Sequence, residues 1–148
     1  MKTPIILVLA AFNRAHKRMN VLYHNYAKAA GISDAAFWLM YSLYEKGGPC
    51  TQTELCQIWF FTPQTINSAL KSLEKQGLIT LDFAPNSRKN KQFFFTEAGE
   101  QFVKGKIAPL VQAEEESFLR LSEQEREALL AITQKHIGIL EEEISRIV

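Results

Sequence analysis

Thr51-Gln52-Thr53-Glu54, followed by Thr62-Pro63-Gln64-Thr65-Ile66-Asn67-Ser68-Ala69-Leu70-Lys71-Ser72-Leu73-Glu74-Lys75-Gln76-Gly77, decides the fold of this chain. The first four residues form a capping box, in which the Thr51 hydroxyl accepts from one orphan helix amide and Glu54 reaches back to another. A short helix follows, with Leu55, Ile58 and Trp59 on one side. Threonine then proline resets the chain: Thr62 is a good N-cap, and Pro63 at the first helical position gives up only an amide without a partner. The second helix runs to about Gln76, and Gly77 supplies a left-handed cap. Two strand-like runs come next, Leu78 to Phe83 and Gln92 to Thr96, joined by the polar, basic tip Ala84-Pro85-Asn86-Ser87-Arg88-Lys89-Asn90-Lys91. Two short helices at a sharp turn, then a basic hairpin, predict a winged helix-turn-helix.

The second helix has two distinct faces. Ile66, Leu70 and Leu73 recur at helical spacing with Ala69 beside them, so they point inward. Gln64, Ser68, Lys71 and Lys75 share the opposite face, flanked by Thr65 and Asn67, and that face has no carboxylate. Amide, hydroxyl and ammonium groups are those that meet base edges and phosphates in a major groove. With Thr62 at the cap and Arg88, Lys89 and Lys91 at the hairpin tip, they are the candidate DNA-binding residues.

The runs Pro63-Gln64-Thr65-Ile66-Asn67-Ser68, Leu73-Glu74-Lys75-Gln76-Gly77-Leu78-Ile79, Arg88-Lys89-Asn90-Lys91 and Thr96-Glu97-Ala98-Gly99 resemble the multiple-antibiotic-resistance regulator (MarR) family. The resemblance covers roughly residues 30 to 100. It implies a dimeric, cytoplasmic transcriptional repressor or activator that binds an inverted-repeat operator in double-stranded DNA, of which a repressor relieved by a small aromatic or hydrophobic effector is the expectation here. The wing tip departs from the family pattern. Where the family has Asp-Arg-Arg or Asp-x-Arg, this chain has Ser87, Arg88 and Lys89, so the carboxylate that braces the wing arginine is absent. An effector would have the aromatic stock of the first two helices to line its pocket, Tyr23 and Tyr26 on one and Trp38 and Tyr41 on the other, with His16 and Met19 upstream. The resemblance also leaves an oxidant-sensing role open for Cys50 or Cys56.

Working outward, 148 residues suffice for a single domain with a real core. The apolar fraction of 47% and charged fraction of 22% are ordinary for a globular protein. The net charge of +1 hides an asymmetry: residues 1–91 hold 11 Lys/Arg against 5 Asp/Glu, residues 92–148 hold 6 against 11. A basic half and an acidic half point to nucleic acid at one end. Cys50 and Cys56 make no disulfide framework or zinc spacing and read as reduced thiols. The run Ile5 to Phe12 after Lys2 resembles the front of a signal peptide, yet falls well short of the roughly 20 residues of a membrane span.

That run continues as a helical pattern through Val8, Phe12, Ala15, Met19, Leu22, Tyr26 and Ala29, predicting one helix from Pro4 to about Ala30, closed by Gly31. Its first turns are apolar all round and call for more than one neighbour. Ser33 caps a helix to about Lys46. Thr96 caps a long helix after the wing, kinked at Pro109, and Ser122 with Glu125 opens a terminal helix to Val148. The expected fold is mainly α with a small two- or three-stranded antiparallel wing. The winged-helix lobe spans about 33–98, and long helices at about 4–30 and 99–148 serve dimerisation. An enzyme is disfavoured, since the chain shows no phosphate loop, His-Glu metal motif or nucleophile with a nearby base, and no cofactor is called for. The competing reading is a winged-helix module that binds protein instead of DNA.

Overall fold

The computed structural model describes residues 2–59, 62–83 and 91–148. The chain forms two compact units, Met1–Ile107 and Ala108–Val148. In the first, α1 (Ile5–Ala30) is followed by α2 (Asp34–Lys46), β1 (Cys50–Thr51), α3 (Gln52–Trp59), α4 (Pro63–Lys75), β2 (Ile79–Phe83), β3 (Lys91–Phe95) and α5 (Glu97–Phe102). A π-helical turn, Val103–Ile107, closes it. The second unit holds α6 (Ala108–Leu119) and α7 (Glu123–Ser145).

The core of the first unit is built around α2, whose Phe37, Leu39, Met40 and Leu43 are buried. Ser33 starts it by accepting from the Ala36 amide at 3.2 Å. Leu55 of α3, Ile66, Leu70 and Leu73 of α4, Ile79 of β2 and Ile107 of the π turn are buried with it. The side chains of Ile58 and Trp59, expected beside Leu55, lie outside the described residues.

The Thr51 box forms as its chemistry requires. The Glu54 amide donates to Thr51 Oγ1 at 3.2 Å, and the Thr51 amide donates to Glu54 Oε1 at 3.4 Å. Lys46, at the end of α2, pairs with Glu54 and donates to the Pro49 carbonyl at 2.8 Å, so the turn between α2 and α3 is closed from both ends. The Lys46 ammonium, more than any other group, holds the Glu54 carboxyl below its ordinary range.

The sheet has three antiparallel strands in the order β1-β3-β2. β1 lies beside β3 with Cys50 opposite Phe93 and Thr51 opposite Gln92. β2 and β3 run from the pair Ile79–Phe95 at the root of the wing to Phe83–Lys91 toward its tip. Residues 84–90, which include Ser87, Arg88 and Lys89, lie outside the described residues.

Thr96 joins wing to helix. Its amide donates to the Leu78 carbonyl at 3.1 Å, and its hydroxyl accepts from the Gly99 amide at 3.0 Å. Gly99 is buried, and a Cβ there would overlap the Leu78 carbonyl oxygen. The sequence Thr96-Glu97-Ala98-Gly99 is therefore a docking device: a cap that starts α5 and a glycine that lets the helix approach the backbone where β2 begins.

The helix expected to run unbroken from Thr96 to a kink at Pro109 is instead interrupted by the π turn. Proline has no amide to donate and its ring crowds the carbonyl four residues back, so the wider turn precedes it. In the second unit, Ser122 and Glu125 form the expected capping box: Ser122 Oγ accepts from the Glu125 amide at 3.1 Å, and the Ser122 amide donates to Glu125 Oε1 at 2.8 Å. Both terminal helices carry exposed apolar rows. On α1, Ile5 is 80% and Ile6 65% exposed, and on α7 Leu130 and Ile132 are at least 60% exposed. Among the described residues no helix is long and apolar enough to cross a membrane.

Candidate nucleic-acid interface

Helix α4 presents the expected face. Thr62 caps it, its hydroxyl accepting from the Thr65 amide at 3.2 Å and donating to the Thr65 hydroxyl at 2.9 Å. Gln52, at the start of α3, donates its side-chain amide to the Pro63 carbonyl at 3.3 Å and so ties the two helices at their turn. With Ile66, Ala69, Leu70 and Leu73 turned inward, Gln64, Asn67, Ser68, Lys71 and Lys75 are exposed. Neither Lys71 nor Lys75 has an ion-pair partner among the described residues. The one carboxylate of the helix, Glu74, lies near its C-terminal end.

Beside this face runs an open groove of about 410 Å³. Gln64, Thr65, Ser68 and Ser72 of α4 form one side, Ser33 and Ala35 at the start of α2 the other, and Ala69 is the buried contact at its base. Ser33, Ala35 and Ser72 were not singled out by the sequence as interface residues. Ser72 follows Ser68 by one turn, which was a readable signal, whereas the α2 wall depends on how α2 docks on α4. Next to that wall, His24 Nδ1 of α1 lies 3.0 Å from both carboxylate oxygens of Asp34, both side chains being more than half exposed.

On the wing, Lys91 is exposed at the last described pair of the hairpin, and its ammonium sits 5.5 Å from the centroid of the Phe83 ring. The other two cations expected there, Arg88 and Lys89, lie outside the described residues.

Four of the residues considered for an effector pocket, Tyr23, Tyr26, Trp38 and Tyr41, are linked ring to ring, Tyr26 through Phe37. Trp38 is at the centre, with ring centroids 5.1 Å from Tyr23, 5.4 Å from Tyr41 and 5.5 Å from Phe37. Tyr26 packs on Phe37 at 5.8 Å and donates its hydroxyl to the Lys106 carbonyl, in the π turn, at 2.6 Å. His16 pairs with Phe12 at 4.5 Å, and Met19 is exposed. Cys50 is buried and Cys56 half-buried; burial, before any other cause, raises the Cys50 thiol above its ordinary value. Among the described residues no group of His, Cys, Asp and Glu could hold a metal ion.

Comparison with known proteins bears on this geometry. Residues 30–89 match the model of the MarR family. No curated protein matches the sequence. Among solved structures, the chain is similar to NMB1585, a MarR family regulator from Neisseria meningitidis, at 19% identity and a TM-score of 0.72, covering 93% of this chain and 99% of that one. It is similar to S. aureus MepR in its DNA-binding conformation at 20% identity and a TM-score of 0.74, covering 90% and 98%. It is also similar to a Listeria monocytogenes chain assigned to the MarR family of transcriptional regulators and complexed with a 26mer DNA, at 22% identity and a TM-score of 0.72, covering 97% and 92%. Residues 30–89 thus match the MarR family model, and the chain as a whole shares the fold of these MarR family structures.

Proposed function

We propose that this chain is a sequence-specific DNA-binding transcriptional regulator of the cytoplasm, acting as a homodimer on an inverted-repeat operator, and a repressor relieved by a small aromatic or hydrophobic effector. The observation that carries the reading is the exposed face of α4, which holds Gln64, Asn67, Ser68, Lys71 and Lys75 and no carboxylate along its centre. Set in a major groove, Gln64 offers an amide for bidentate contact with adenine, and Ser68 a hydroxyl one turn on. Lys71 and Lys75 are point charges suited to phosphate. The wing, with Lys91 and the sequence neighbours Arg88 and Lys89, extends the contact along the backbone. MepR and the Listeria regulator, which share the fold, have been captured in complex with DNA.

The exposed apolar rows of α1 and α7 support the dimer. Surfaces of this kind on a small chain mark an interaction site, and a second copy brings the same rows to meet them. A two-fold pair places its two α4 helices on half-sites about 10 bp apart or a multiple of that. The Tyr23–Trp38–Tyr41 cluster is the place we assign to the effector, because its tilted, half-buried rings offer faces and edges to a flat apolar ligand.

The test is a salt titration of binding to duplex DNA together with sedimentation at micromolar concentration. The reading predicts a dimer whose affinity falls steeply as salt rises, since each neutralised phosphate releases counterions. A stable monomer, or binding insensitive to salt, overturns it.

A further inference from the structure

We propose that Phe83 is a positioning residue for DNA binding: its ring holds the Lys91 ammonium on the wing at the place where a backbone phosphate is met. This deepens the DNA-binding reading and rests on it.

Phe83 and Lys91 are the last cross-strand pair of the hairpin among the described residues. Paired residues project from the same face of a sheet, so ring and ammonium share a side of the wing. The Lys91 nitrogen lies 5.5 Å from the ring centroid, inside the roughly 6 Å over which a ring face attracts a cation. Core packing does not account for the ring, because Phe83 is 47% exposed and β2 is exposed from Thr80 onward.

A carboxylate does not account for the lysine either. Among the described residues Lys91 has no ion-pair partner, and residues 84–90 contain no acid. The nearest acid along β2, Asp82, is paired across the strand with Gln92 and accepts from the Phe83 amide at 2.7 Å. The wing therefore steers its lysine with an uncharged aromatic face. That choice suits a phosphate contact. A carboxylate would neutralise the ammonium and have to be displaced, whereas a ring keeps the full positive charge and leaves the outer hemisphere of the ammonium open. A lysine side chain is otherwise free to sample many rotamers, and fixing it beforehand reduces what binding must order.

The experiment is a double-mutant cycle with fluorescence anisotropy on a random-sequence duplex, across a salt series, using Phe83→Leu, Lys91→Ala and their combination, with Phe83→Trp as the conservative replacement. Leucine keeps an apolar side chain but has no ring face. Phe83→Leu is expected to weaken binding about two- to fivefold, the range of an exposed cation–π contact, with the salt slope unchanged because Lys91 still reaches a phosphate. Lys91→Ala is expected to weaken binding and lower the slope by about one. In the Lys91→Ala background, Phe83→Leu should have no further effect, and Phe83→Trp alone should bind as well as the original chain. Equal losses from Phe83→Leu with and without Lys91 would show a merely structural ring and overturn the proposal alone, as would no loss from Phe83→Leu. Absence of salt-dependent binding by the original chain would overturn the parent reading and this one with it.

Discussion

Gly99→Ala is the substitution whose sign separates local propensity from tertiary geometry. By helix propensity alone, alanine should stabilise α5 by up to about 1 kcal/mol. The structure predicts the opposite, because the new methyl would overlap the Leu78 carbonyl oxygen. That oxygen accepts from the Thr96 amide at 3.1 Å and belongs to backbone, so it cannot swing aside as a flexible side chain would. Relief requires α5 to lift from the root of the wing. Overpacking costs about 1–3 kcal/mol, and leaving the Thr96–Leu78 bond unmade costs about 1–3 kcal/mol more. Against the propensity gain, the net loss is about 1–5 kcal/mol, or a fall in Tm of about 3–15 °C for a chain of this size. The assay is thermal unfolding followed by circular dichroism at one fixed protein concentration, since a dimer's Tm depends on concentration. Gly138→Ala is the control. That glycine lies exposed in α7 with nothing near its missing Cβ, so alanine should raise Tm slightly. A Gly99→Ala protein as stable as the original, or more so, would refute the close approach of α5 to the wing root.

Three further outcomes are expected. Gln64→Ala should change the preferred sequence in a selection from random duplexes, whereas Lys71→Ala should weaken all sequences alike and lower the salt slope by about one. The depressed Glu54 carboxyl contributes stability that is present above the ordinary carboxylate range and lost as pH falls through it, so acid should lower the Tm of the original chain more than that of Glu54→Gln. Under brief alkylation of the native protein, Cys56 should be modified well before Cys50, which is buried and whose thiol that burial pushes above its ordinary value; mass spectrometry of the labelled peptides decides it.

What the sequence revealed, it revealed through local rules. Thr62-Pro63 announced α4 because capping and proline geometry are properties of adjacent residues, and Ile66, Leu70 and Leu73 at helical spacing told inside from outside. Ser122 and Glu125 announced α7 for the same reason. Strand β1 was not legible as such: Cys50 and Thr51 become a strand only because Phe93 and Gln92 come alongside them. The π turn was missed because Pro109 fixes that something must give but not which hydrogen-bonding register absorbs it. In the candidate interface, the polar face of α4 was visible in periodicity, while Ser33 and Ala35 joined it through the packing of α2 on α4. The aromatic stock of α1 and α2 was visible too, but its partners were not: Tyr26 turns out to bond the Lys106 carbonyl, 80 residues away. The pairing of Phe83 with Lys91 required the strand register, which sequence alone leaves open by a residue.

The central claim is that two copies of this chain read one DNA sequence twice. Selection from a pool of random duplexes by the purified full chain, followed by sequencing of what is retained, tests it most directly. An inverted repeat with half-sites centred about 10 bp apart or a multiple of that should be enriched. Enrichment of a lone half-site, or of no sequence at all, would contradict it.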